Sequence, residues 1–120
     1  MSKQEKIDGV LKQLKSALPE LQEAIVASTD GLPIAQLSEG DGSARLAAMA
    51  ATAHGLGKRI ATTSKLGEVT ETVVLGDAAY FIAYAIGEKA VLALTMPVGS
   101  NIGLVRLEAQ EHARQLSEAL

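Results

Sequence analysis

Apolar positions along this chain recur with two different periods, and the changes between them mark out its elements. From Ser2 onward Ile7, Val10, Leu11, Leu14 and Leu18 return every three or four residues, and Ser2 with Glu5 forms a capping box. An amphipathic helix is therefore expected to end before Pro19. Glu23 to Ser28 (EAIVAS) reads as a short apolar strand, Thr29-Asp30-Gly31-Leu32 carries an Asp-Gly turn, and Ile34 to Leu37 returns as its partner in a hairpin. Ser38 to Gly42 (SEGDG) reads as a polar loop, with Ser43 as a helix cap. Ser43 to Thr63 is one long helix. After Ser64-Lys65-Leu66-Gly67 the pattern becomes strand-like over Glu68 to Leu75, Ala79 to Ile86 and Ala90 to Met96, with turns at Gly76-Asp77 and Gly87-Glu88-Lys89. These three should form an antiparallel meander. Glu68, Thr70, Glu71 and Thr72 leave the start of the first strand polar on both faces, as suits an edge. Pro97 closes the sheet, and Ile102 to Leu120 is a last helix with Val105, Ala109, His112, Leu116 and Leu120 on one side.

The order is α-β-β-α-β-β-β-α. With no βαβ alternation it predicts an α+β fold, a five-stranded antiparallel sheet covered by helices, in a single domain over residues 1–120. Composition narrows the function classes. Eleven Lys and Arg stand against fourteen Asp and Glu, and this net charge of −3 gives no general reason to bind nucleic acid or an anionic membrane. There is no Cys, which removes disulfides, thiolate chemistry and Cys-ligated zinc. The polar start MSKQEK lacks the apolar core of an export signal, and the apolar runs fall well short of the ~20 residues of a membrane helix, so a cytoplasmic protein is expected.

The long helix organises the rest. At about 100° per residue Leu46, Met49, Ala50, Ala53, Leu56, Gly57 and Ile60 form an apolar stripe, expected to face the core. Opposite lie Ala44, Ala47, Ala48, Ala51 and Gly55, where a solvated helix would carry charged residues. A row of small residues permits close approach of another backbone, and the simplest cover is the same helix of a second copy in a two-fold interface. His54 lies between the two faces and is assigned to that interface.

Catalytic chemistry is not apparent. His54 and His112 are the only histidines, neither sits in a nucleophile motif, and no metal-ligand spacing is present. Glu39-Gly40-Asp41-Gly42-Ser43 fails the calcium-loop pattern because Ala50 stands at the closing acid's place. Gly57-Lys58 fails the phosphate-loop pattern because Thr52 and Arg59 replace required residues. The expectation is no catalytic residue, no cofactor and no metal.

Ile25-Val26-Ala27 running into Thr29-Asp30-Gly31-Leu32-Pro33-Ile34-Ala35, then Leu46-Ala47-Ala48-Met49-Ala50-Ala51, then Asn101-Ile102-Gly103-Leu104 together resemble the Roadblock (dynein light chain Roadblock) family, and most of all its prokaryotic, MglB-like members. The resemblance implies a Roadblock/longin-like (profilin-like) sandwich, with the long helix on one sheet face and the other two helices on the other. It implies pairing through helix 43–63 and the edge strand 68–75, which carries Val69, Glu71 and Val73. The implied function is regulation of a small Ras-like GTPase, possible activation included, with a non-catalytic adaptor or scaffold dimer as the alternative. Arg45, Lys58 and Arg59 are the long-helix cations able to reach such a partner.

Overall fold

The computed structural model describes residues 1–37 and 42–120. Its elements are α1 (Lys3–Ala17), β1 (Glu23–Ser28), β2 (Pro33–Gln36), α2 (Ser43–Thr63), β3 (Thr72–Leu75), β4 (Ala79–Ile86), β5 (Ala90–Pro97) and α3 (Ile102–Ala119). The expected order is present throughout. The loop expected at 38–42 falls almost wholly outside the described residues.

All five strands join one antiparallel sheet in the order β2-β1-β5-β4-β3. The ladders set which side chains share a face. Ile25 lies opposite Ala93, Ala27 opposite Val91, and Ala83 opposite Ala93, so one face is floored by small and β-branched residues. The other face carries Val26, Ile82, Tyr84, Ile86, Leu92, Leu94 and Met96. Strand alternation thus builds a thin side and a thick side.

On the thick side α1 and α3 lie together and bury Ile7, Leu11 and Leu14 with Val105, Ala109 and Leu116 against the large strand residues. The capping box forms as expected: Ser2 Oγ accepts from the Glu5 amide at 3.1 Å, and Glu5 Oε1 accepts from the Ser2 amide at 3.3 Å. Asn101 caps α3 by accepting the Leu104 amide on Oδ1 at 3.1 Å. The long helix alone covers the thin side. It begins at Ser43, but the cap position belongs to Gly42, which offers no side-chain bond, so the capping role expected of Ser43 is corrected.

Two further expectations change. The edge strand is shorter than 68–75: only Thr72–Leu75 pairs, and Glu68–Glu71 approach it without strand geometry. Their polar pattern on both faces gives burial nothing with which to fix a strand. Larger in consequence, α2 is turned about its axis by roughly a quarter turn from the expected orientation, so that Ala50 keeps its expected place on the sheet, Ala47 joins it there, and Ala44, Ala48 and Gly55 stay exposed. Ala47 and Ala50 are fully buried against Ile25, Ala27, Ala83, Val91 and Ala93, while Met49, Leu56 and Ile60 point outward. An alanine floor accepts an alanine ridge at short range, and a leucine ridge would hold the helix off the sheet.

Candidate functional site

The outer face of α2 is built by the residues that the sheet has no room for. Leu46, Met49, Ala53, Leu56 and Ile60 follow each other at spacings of three, four, three and four, the seam spacing of helices that pack side by side. Leu46 and Ala53 sit half-buried at the inner margin, and Met49, Leu56 and Ile60 are 54%, 58% and 49% exposed. Three large apolar side chains in one stripe, each half in water, form a patch rather than scattered surface hydrophobes.

One flank of the helix abuts the hairpin turn. Gly31 has φ of 94°, and a Cβ placed on it would sit 3.5 Å from the Ala48 Cα. The other flank meets the sheet edge, where a Cβ on Gly57 would lie 3.3 Å from Thr72 Oγ1 of β3. Val74, two residues along β3 on the same sheet face, is 59% exposed. The seam of α2 therefore runs on to the edge strand.

The two sheet edges are not alike. At β2, Pro33 supplies no N–H, the ladder to β1 shifts register between Val26 and Ala27, and the Ile34 carbonyl already accepts from Gln4 Nε2 at 3.1 Å. Those features blunt an edge. β3 has neither a proline nor a register shift, and it pairs only with β4. It is the open edge.

The residues expected at a self-interface divide accordingly. Ala44, Ala48 and Gly55 are exposed and Ala51 is half-buried, whereas Ala47 is fully covered by the sheet and His54 is 9% exposed. Burial, and secondly the charge of Lys58, holds the His54 imidazole below the usual histidine range. Val69 and Val73 are half-buried, and Val73 packs on the α1/α3 side. Glu71 is engaged within the chain. Arg106 Nε donates to both its carboxylate oxygens at 3.1 Å, Arg106 Nη2 to Oε2 at 2.8 Å, and the Tyr84 hydroxyl to Oε1 at 2.9 Å. The Arg106 bonds, more than the Tyr84 one, keep the carboxyl below its ordinary range, and burial opposes them. Arg45, Lys58 and Arg59 are exposed, and none takes part in the ion pairs found among the described residues.

Sequence reasoning missed Met49, Leu56 and Ile60 as surface residues. The signal was in the strands: β4 and β5 put Ile82, Tyr84, Leu92 and Leu94 on one face and Ala83 and Ala93 on the other, so the helix over the second face had to turn small residues inward.

The geometry defines an α+β sandwich with an exposed apolar stripe on its long helix. Among the described residues no three His, Asp or Glu side chains are grouped to hold a metal ion, and no helix is long and apolar enough to cross a membrane. The Roadblock/LC7 domain model matches residues 6–96, and the chain belongs to that family. No curated protein matches it by sequence. Among solved structures it is similar to a Roadblock/LC7 domain from Streptomyces avermitilis, with a TM-score of 0.87 at 20% identity over 92% of this chain and 94% of that one. Myxococcus xanthus MglB superposes with a TM-score of 0.86 at 18% identity, covering 96% of this chain and 87% of that one. Profilin II of Acanthamoeba castellanii gives 0.62 at 16% identity over 86% and 90%, which places the fold in its wider profilin-like setting. At these identities the likeness is one of fold.

Proposed function

We propose that this chain is a homodimeric, MglB-like regulator of a small Ras-like GTPase in the cytoplasm, acting by protein–protein binding with no active site of its own. The observation that carries the reading is the apolar seam of α2 continuing onto the open β3 edge. Two copies related by a two-fold axis would bury both seams against each other and join two β3 strands, turning two five-stranded sheets into one. Ala44, Ala48, Ala51 and Gly55 lie on the other flank of α2, beside the hairpin turn, where they would border a second copy without packing in the seam. Ala47 and His54 act from beneath by setting the height of α2. Val69, Glu71 and Val73 lie along the strand side of the same interface. Arg45, Lys58 and Arg59 remain to meet the GTPase.

Membership of the family and the likeness to MglB support this reading. The test is GTP turnover by a Ras-like GTPase of the source organism, with and without stoichiometric amounts of this protein. A rise in rate is the expected result. An unchanged rate with binding retained would make the chain an adaptor dimer, and absence of binding would overturn the reading.

A further inference from the structure

β3 is only four residues long and is held on one side by β4, yet it is the strand that must present an edge to a second copy. Residues 64–71, which lead into it, form neither helix nor strand and are mostly exposed. Such a strand frays at its entry unless something outside the ladder fastens it.

That fastening is present. Thr72 lies opposite Ala83 in the β3–β4 ladder, so the next step along the same register sets Glu71 opposite Tyr84. The carboxylate of Glu71 receives the planar fork of Arg106 and the hydroxyl of Tyr84 at that point. Arg106 stands on α3, which is rooted in the core by Val105, Ala109 and Leu116. The clamp thus extends the register one residue beyond the strand's own pairing, from an anchor belonging to another layer. It also lies on the α1/α3 side, leaving the outer backbone edge of β3 and the α2 side unobstructed.

We propose that Arg106 is a positioning residue for self-association: by gripping Glu71 from α3 it holds β3 in the register and straightness that pairing with a second β3 requires. The proposal rests on the dimer reading above. Its physical basis is preorganisation. A strand ordered before the encounter does not lose its backbone freedom on binding, whereas a frayed one does. A bidentate guanidinium grip fixes direction as well as distance, which a lysine ammonium does not.

The experiment compares wild type, Arg106→Gln and Arg106→Lys in two measurements. Sedimentation over a concentration series reads dimer dissociation, and amide hydrogen exchange of each chain, diluted until monomeric, reads order in β3. Arg106→Gln should weaken the dimer about tenfold or more and speed exchange at residues 72–75 by a similar factor. Amides of β1 and β5 should keep wild-type protection, and Arg106→Lys should fall between the two. If Arg106→Gln pairs as tightly as wild type, or pairs weakly while β3 exchange is unchanged, the clamp does not position the edge, although the dimer reading stands. If wild type is monomeric at every concentration, both readings fall. Should Arg106→Gln not fold, Glu71→Gln keeps the shape and weakens the grip. It should shift both measurements in the same direction, and wild-type values for it would overturn the proposal.

Discussion

Tyr80 and Tyr84 stand on one strand, on one face, four residues apart, and their hydroxyls have opposite fates. That of Tyr84 donates to Glu71, and burial followed by this bond to a carboxylate raises the phenol well above its ordinary range. That of Tyr80 is buried with no partner among the described residues. An orphaned buried hydroxyl costs desolvation that a bonded one recovers. Tyr80→Phe should therefore leave stability unchanged or raise it by up to about 1 kcal/mol, and Tyr84→Phe should lower it by about 1 kcal/mol, both read from urea unfolding. His54 supplies the pH dependence at this scale. Burial holds its pKa in the fold below the ordinary histidine value of about 6.5, so as pH falls through that value the unfolded chain takes up a proton that the folded one refuses. Stability is then lost progressively toward acid until the folded imidazole itself titrates. His54→Met should flatten that loss between pH 7 and pH 5, and a variant with the wild-type slope would show that the proton goes elsewhere. Neither tyrosine's fate was legible in the sequence, because Tyr84 and its partner Glu71 are 13 positions apart and meet only through the fold. The capping box and the Asn101 cap were legible, since each closes within three residues.

Elements were read more surely than their faces. Periodicity places β1 and β4 at their observed bounds, and α2 at Ser43–Thr63, because those runs satisfy their spacing internally. Which side of α2 meets the sheet depends on what the sheet offers, and hydrophobicity alone points the wrong way: Met49, Leu56 and Ile60 face out while Ala47, Ala50 and Ala61 face in. The same cause shortened β3. Val73 packs against the core on the α1/α3 side, whereas Glu68 and Thr70 are exposed and give burial nothing with which to fix a strand. This yields a paired prediction. Ala47→Leu enlarges a fully buried residue in the cluster with Ile25, Ala83 and Ala93, so it should cost about 1–3 kcal/mol by overpacking. Leu56→Lys, on the outer stripe, should change the stability of the isolated chain by no more than about 0.5 kcal/mol, yet abolish dimer formation in light scattering. The reverse outcome, a stable Ala47→Leu and an unfolded Leu56→Lys, would restore the orientation that hydrophobicity suggests.

At the scale of the molecule, charge is sorted by face. α2 holds Arg45, Lys58 and Arg59 and no acid, while the remaining chain holds eight cations against fourteen acids. Two copies paired through α2 would bring six cations together on one side of the dimer, with the excess of acid distributed over the rest of both chains. A face of that kind attracts an acidic partner surface over roughly the Debye length, about 8 Å at physiological salt. The contribution of such exposed charges lies mainly in the association rate and in partner choice. If the proposed GTPase partner docks on this face, Arg45→Glu with Arg59→Glu should slow its association by about tenfold or more at low salt, with the fold and the apolar seam intact. Raising salt should slow the wild type toward the variant and move the variant little. If the double variant associates at the wild-type rate across the salt series, the cations of α2 lie outside the contact, and the proposed partner must approach another face.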